Sequence, residues 1–110
     1  MANQYHRLLD AQILPPNWVQ PKEDVFDAGA WKEVEAHYRG IKTGSAGTVK
    51  LQTAAVNEPD AWVDVTGLSW SLSGTGGLAS SSHYLRYLRA VTDGAVAGAP
   101  AGLIDLVLKN

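Results

Sequence analysis

The stretch from residue 47 to 67 most constrains the fold, because it predicts two strands joined by a tight polar turn. Residues 48–53 alternate between apolar or small side chains and polar ones, which is the period of a strand with one buried face. Residues 57–60 (Asn-Glu-Pro-Asp) interrupt this pattern with types that favour turns. Residues 62–65 resume it, and Gly67 is expected to end the second strand. The unit is therefore an antiparallel pair.

Further short runs carry the same signature along the chain. Residues 31–42, 68–73 and 103–109 alternate in hydrophobicity, and residues 83–91 form an aromatic run that contains arginines. Short strands at roughly ten-residue spacing are typical of sandwiches and barrels. The sequence predicts an all-β fold, an antiparallel, jelly-roll-like β-sandwich over residues 23–110, with twelve inward side chains: Val34, Ala36, Tyr38, Val49, Leu51, Leu68, Trp70, Leu72, Leu88, Ile104, Leu106 and Leu108.

The connections follow from glycine, serine and proline. Residues 43–47 are expected to form a hairpin loop into the 47–67 unit, and residues 92–94 a second turn. Residues 74–77 and 80–82, rich in Gly and Ser, are expected to form a flexible connection.

Residues 1–22 predict a different structure, an extended N-terminal arm. Residues 5–14 could form one short element, but prolines at positions 15, 16 and 21 exclude regular structure across the middle of the arm and bias the preceding residues towards extended conformations. The apolar Leu14, Trp18 and Val19 then need a surface to cover them. A neighbouring subunit is one such surface, and deletion of the arm would then leave the sandwich folded. The alternative is that Trp18 folds back on its own domain.

Composition limits the classes of function. The chain has 110 residues, no cysteine and a formal net charge of −2, which argues against a basic nucleic-acid footprint. No apolar run approaches a membrane span. His6, His37 and His83 lie apart from one another, and the glycines at 74–77 lack the strand and helix context of a phosphate-binding loop. We therefore expect no catalytic residue, no metal site, no cofactor and no enzymatic activity.

Two arginines complete the set of candidate interface residues. Arg86 and Arg89 are three residues apart in a predicted strand, so they point to opposite faces. One is expected to pair with a carboxylate such as Glu33, Glu35 or Asp64, and the other to reach an interface, where arginine is enriched. The tryptophans at 31, 62 and 70 are interpreted as core or rim residues rather than as a sugar platform. The candidate interface residues are Leu14, Trp18, Val19, Arg86 and Arg89.

Four segments together carry a resemblance to a known class of proteins. The runs at 26–34, 48–54, 61–65 and 84–89 resemble those of small β-sandwich virion proteins of tailed bacteriophages, in which a strand ending in Leu-Gln-Thr precedes an aromatic-plus-aspartate strand and a later Tyr-Leu-Arg-Tyr strand. This resemblance implies a capsid decoration or cement protein that binds the major capsid protein and stabilises the head. It also implies a homo-oligomer, with a trimer favoured, on the capsid surface after synthesis in the host cytoplasm.

Two other classes remain open for this sequence. One is a glycan- or host-binding module of a tail or fibre, which would require at least two solvent-facing aromatic side chains in one shallow groove. The other is a head–tail adaptor ring protein, which would require a heterologous interface that closes into a ring.

Overall fold

The computed structural model describes residues 3–29, 31–82 and 84–110, which form two four-stranded antiparallel sheets packed face to face. The antiparallel β-sandwich predicted from the sequence is thus confirmed. His83, one of the three histidines considered above, lies outside the described residues. A short 3-10 turn spans Lys22–Asp24. The strands are β1 Gln4–Ile13, β2 Phe26–Asp27, β3 Glu33–Lys42, β4 Thr48–Ala54, β5 Val63–Ser71, β6 Gly76–Ser81, β7 Tyr87–Thr92 and β8 Ala101–Lys109.

The strands divide between two sheets of mixed sequence order. Sheet A has the order β1-β8-β3-β6 and sheet B the order β2-β7-β4-β5. The β4–β5 pair is the antiparallel pair expected from residues 47–67. The predicted hairpin loop at 43–47 is wrong, because β3 belongs to sheet A and β4 to sheet B. This loop instead carries the chain from one sheet to the other.

The core fills the space between the sheets. All twelve predicted inward side chains are buried, from Val34 on β3 to Leu108 on β8. Leu8, Leu9 and Leu14 join the same cluster, although the sequence pattern had assigned them to an arm. Such dense burial is what a domain of this size needs, since apolar area removed from water contributes about 25 cal/mol per Å².

The predicted arm at residues 1–22 is corrected by the structure. Its first part is β1, an edge strand of sheet A that pairs with β8 from Gln4 opposite Leu108 to Ile13 opposite Ala101. The prolines lie beyond this strand, so they do not interfere with its hydrogen bonds. The surface that the apolar residues need is therefore supplied by the sandwich itself, and sheet A would lose a strand on deletion of residues 1–22.

After β1 the chain crosses from sheet A to sheet B. Backbone hydrogen bonds hold both ends of this crossing segment, residues 14–20. The Leu14 amide donates to the Pro100 carbonyl (2.8 Å), and the Gln20 amide donates to the Ala90 carbonyl (3.0 Å). The buried Gln20 side chain donates to the Leu8 carbonyl (2.6 Å) and accepts from the Ala90 amide (2.9 Å). The Gln20 side chain thus links β1 of sheet A to β7 of sheet B through two hydrogen bonds.

Two further segments differ from the sequence expectation. β5 does not end at Gly67: Lys50 lies opposite Ser69 and Gln52 opposite Asp64, so one residue of β4 faces four of β5 and the strand bulges. Gly67 has φ +88° in this bulge, a conformation that a residue without a Cβ adopts readily. The segment predicted as a flexible connection contains β6, which pairs with β3 and forms the second edge of sheet A, opposite β1.

Candidate interaction surface

Three of the candidate interface residues come from the crossing segment, and the structure separates them. Leu14 is fully buried in the core, so its assignment to an interface is wrong. Trp18 folds back on its own domain: it packs against the core, and its amide donates to Thr92 Oγ1 (2.8 Å). Val19 remains 49% exposed while it bridges to Val91 of β7. Of these three, Val19 is the side chain most available to a partner.

Arg89 of β7 lies on the outer face of sheet B. Its Nε and Nη2 both donate to Gln52 Oε1 (3.0 and 2.8 Å), and its guanidinium carbon lies 4.3 Å from the centre of the Trp62 ring. Partial burial lowers the pKa of this guanidinium below its ordinary value. Within the described residues, Arg89 contacts an amide and an indole but no carboxylate, so its charge is held without an ion pair.

The contacts of Arg89 continue into a polar network along the sheet. Gln52 Nε2 donates to Asp64 Oδ1 (3.0 Å), and Lys50 Nζ pairs with Asp64 Oδ2 at 2.9 Å. The hydrogen bonds from Lys50 and Gln52 lower the pKa of Asp64, against the opposing effect of burial. Gln52 therefore has its orientation fixed from both sides, since its oxygen faces Arg89 and its nitrogen faces Asp64.

A groove of about 290 Å³ runs beside Arg89, and we refer to it as the Arg89 groove. Val19, Pro21, Pro59 and Trp62 contribute apolar surface to its lining, and Arg89 contributes a cation. The structure thus places Val19 and Arg89 in the lining of one groove. The sequence indicated both as interface residues, but for different reasons. A tryptophan, an arginine and stiff apolar neighbours form the composition of a protein-binding hot spot.

Arg86 lies elsewhere, in the loop before β7. Its Nη2 donates to Asp27 Oδ2 (2.9 Å) and its Nε to Asp27 Oδ1 (3.1 Å), which is a bidentate ion pair. The hydrogen bonds from Arg86 are the main cause of the lowered pKa of Asp27. This pair lines a separate open cleft of about 580 Å³ with Gly29, Trp31, Tyr84 and Leu85.

Two of the carboxylates predicted to pair with the arginines, Glu35 and Asp64, have other partners. Glu35 forms an ion pair with Lys109 at 3.0 Å, and Asp64 forms one with Lys50. Arg86 forms its ion pair with Asp27. The two arginines do fulfil different roles, because Arg86 forms an exposed ion pair while Arg89 lines the groove. Asp27 carried no signal in the sequence, since its contact with Arg86 spans 59 positions.

Sheet A presents a second polar cluster on its outer face. Asp105 of β8 accepts hydrogen bonds from Tyr5 Oη (2.7 Å), Arg7 Nε (2.8 Å) and Arg39 Nη2 (2.9 Å). Burial opposes ionisation of Asp105, but these three hydrogen bonds outweigh it and lower its pKa. The cluster ties the three neighbouring strands β1, β8 and β3 together, so its role is structural.

In residues 3–29, 31–82 and 84–110, no group of three or more His, Asp or Glu side chains is arranged to hold a metal ion. No helix in the described part of the chain is long and apolar enough to cross a membrane. His6 stacks on Phe26 with ring centres 4.0 Å apart, and burial lowers its pKa.

Comparison with known proteins gives a match at the level of fold. No family model matches the chain, and no curated protein is significantly similar to it in sequence. Among solved structures, it is similar to the crystal structure of the SPBc2 prophage-derived protein YomS, with a TM-score of 0.68 and 13% sequence identity. The match covers 98% of this chain and 94% of that one. The two chains therefore share a fold over nearly their whole lengths.

Proposed function

We propose that this chain is a non-enzymatic structural protein of a bacteriophage particle, and that it acts as a capsid decoration or cement protein. The observation that carries the proposal is the fold that it shares over 98% of its length with a prophage-derived protein. The resemblance of its strand motifs to small virion proteins of tailed phages points in the same direction.

The Arg89 groove is the surface that we assign to the major capsid protein. Trp62 and Arg89 stack at 4.3 Å, and the half-exposed Val19 lines the groove with them. Rigid aromatic and guanidinium groups of this kind contribute most of the energy of protein interfaces. Many copies bound to one shell, as a trimer or another small homo-oligomer, would strengthen a modest affinity at each site.

The copy number per particle tests this assignment. Quantitative mass spectrometry of purified virions should give hundreds of copies, in proportion to the major capsid protein. A count of about six to twelve would contradict decoration and favour a ring at one vertex. Absence from the purified particle would contradict a structural role of either kind.

A second experiment tests attachment directly. Capsids that lack this protein should bind the added full chain in a cosedimentation assay and should then resist heat better than bare capsids. The binding should saturate at the same copy number that virions contain. Failure to bind assembled capsids, with binding to tails alone, would reassign the protein to the tail.

A further inference from the structure

The guanidinium of Arg89 has one edge occupied by its own chain and another that no described residue contacts. Gln52 Oε1 accepts from Nε and Nη2, so it occupies the edge that these two nitrogens form. An arginine carries five N–H donors in a fixed plane, and within the described residues Nη1 makes no hydrogen bond. The edge formed by Nη1 and Nη2 therefore suits an acceptor with two oxygens side by side, which is the geometry of a carboxylate.

Apolar surface adjoins this cation in the Arg89 groove. The groove has a volume of about 290 Å³, and Val19, Pro21 and Pro59 line it together with Trp62. The guanidinium carbon of Arg89 stacks 4.3 Å from the centre of the Trp62 ring, so the cation and the apolar lining are in contact. A ligand can therefore reach both with two adjacent groups, one charged and one apolar.

The two walls of the groove are linked to each other. Asn57 Nδ2 donates to the Lys22 carbonyl (3.4 Å), which connects the turn before β5 to the segment after β1. Pro21 and Pro59, one on each wall, have their φ angles fixed by their rings. Such walls lose little conformational freedom when a ligand binds, so less of the interaction energy is spent on ordering them.

The charge of the lining favours an anion. Lys22 and Arg89 contribute two cations to it, and Glu58 contributes one carboxylate. Among the described residues, the ion pairs involve other side chains. A single carboxylate on a partner is therefore attracted to the groove. A run of phosphates would need a stripe of basic side chains, whereas this lining offers two beside a carboxylate.

We propose that the Arg89 groove binds a short protein segment that presents one aspartate or glutamate beside an apolar side chain. The carboxylate of the segment accepts hydrogen bonds from Nη1 and Nη2 of Arg89. Its apolar neighbour packs on the surface formed by Val19, Pro21 and Pro59. That the segment belongs to the major capsid protein rests on the proposed function, whereas its chemistry follows from the groove.

Titration of the purified full-length chain with synthetic peptides tests this chemistry. The probes are blocked hexapeptides of Gly and Ser with a central Asp or Glu that is preceded or followed by Leu, Val or Phe. Matched peptides carry Asn or Lys in place of the acid, or Ser in place of the apolar residue. Heteronuclear NMR follows the Nε–H signal of Arg89 and the indole N–H signal of Trp62.

At least one acidic peptide should shift both signals. It should bind about tenfold or more tightly than its Asn and Lys counterparts, because hydrogen bonds between charged groups are the stronger ones. Replacement of its apolar residue by Ser should also weaken it. Equal binding of the Asp and Asn peptides, or no shift with any peptide at millimolar concentration, would overturn the proposal. Tighter binding of a thymidine oligonucleotide than of every peptide would overturn it in favour of nucleic acid.

Variants assign the binding to the guanidinium. Arg89→Lys keeps the charge but removes the planar pair of donors, so it should weaken binding of the acidic peptide by about tenfold. Arg89→Gln should bind the Asp and Asn peptides equally. Gln52→Glu supplies a carboxylate to Arg89 within the chain and should also weaken the acidic peptide. Lys42→Gln, which removes a cation from sheet A, is the control and should change nothing. A folded Arg89→Gln variant that still prefers the Asp peptide would refute the assignment.

Peptide binding and capsid attachment can fail separately. If the acidic peptides bind the wild-type chain but assembled capsids do not, decoration is contradicted while the ligand of the groove stands. If capsids bind wild type and Arg89→Gln equally well, attachment stands and the groove is not its site.

Discussion

The guanidinium carbon of Arg89 lies 4.3 Å from the centre of the Trp62 ring, so the cation packs on the negative face of the indole. The same guanidinium donates twice to Gln52 Oε1, which leaves part of its donor capacity unused among the residues that the structure describes. The pair therefore presents a rigid, partly desolvated cation beside an apolar groove. Such a group gains more from a carboxylate on a partner than a fully solvated arginine would.

The first prediction concerns this pair. Arg89→Ala should weaken attachment to capsids by about 2 kcal/mol, as hot-spot arginines do, and should be measured by cosedimentation over a range of protein concentrations. Lys50→Ala is the matched control, because Lys50 lies on the same face outside the groove lining. Equal losses for both variants would indicate a general charge effect rather than a contact at the groove.

The second prediction compares two neighbours at the end of β1. Leu14→Ala should lower the free energy of unfolding by about 2–5 kcal/mol, because Leu14 is fully buried in the core. Ile13→Ala should change it by less than about 0.5 kcal/mol, because Ile13 is 65% exposed. Urea unfolding of both variants measures the difference. Similarly small changes in the free energy of unfolding for both variants would contradict the burial of Leu14 in the core.

The sequence predicted strands where burial follows strict alternation. β8 is such a case over residues 104–108, since Ile104, Leu106 and Leu108 are all buried and β8 is central in sheet A. The sequence indicates only a short element of unassigned type over residues 5–14, because the register of β1 shifts between Arg7 and Leu9, which breaks the alternation and buries Leu8 and Leu9 together. A bulge of this kind changes which side chains face the core without leaving a periodic signal.

Parts of the candidate site were predictable for a different reason. Val19 and Arg89 stood out locally, as an apolar residue among prolines and as an arginine in a strand. Their meeting in one groove depends on the Val19–Val91 bridge, which joins positions far apart in sequence. The Asp27–Arg86 pair depends likewise on the pairing of β2 with β7. No local pattern specifies contacts that only the sheet topology creates.

The third prediction is a loss of stability in acid. The pKa of Asp105 is lowered in the folded state, so the stability that it contributes is fully present above its unfolded pKa and is lost as pH falls through its folded pKa. The lowered pKa values of Asp27 and Asp64 act in the same direction. In denaturant unfolding, the contribution of these three carboxylates to stability should therefore be constant near neutral pH and should decrease from about pH 5 to below pH 3.

The variant Asp105→Asn isolates one part of that decrease. It keeps the size of the side chain but removes the charge that Arg7 and Arg39 bind, so the variant should be less stable at neutral pH and should depend less on pH. Asp10→Asn is the control, because Asp10 is mostly exposed and forms a longer contact with Arg7 at 3.5 Å. The two variants should converge with the wild type at low pH. A constant difference at every pH would exclude the charge as the cause.

The final prediction concerns the buried hydroxyl of Tyr38. The side chain lies fully buried on β3, and its hydroxyl has no hydrogen-bond partner in the described part of the chain. An unsatisfied buried hydroxyl costs about 1–3 kcal/mol, so Tyr38→Phe should raise the free energy of unfolding, by about 1 kcal/mol, while the ring keeps its packing near Trp70. Tyr5→Phe is the opposite control, because the Tyr5 hydroxyl donates to Asp105 at 2.7 Å and its loss should lower stability. Urea unfolding at neutral pH measures both changes. A destabilised Tyr38→Phe variant would show that the hydroxyl has a partner, such as a bound water, and that the core is not apolar at this point.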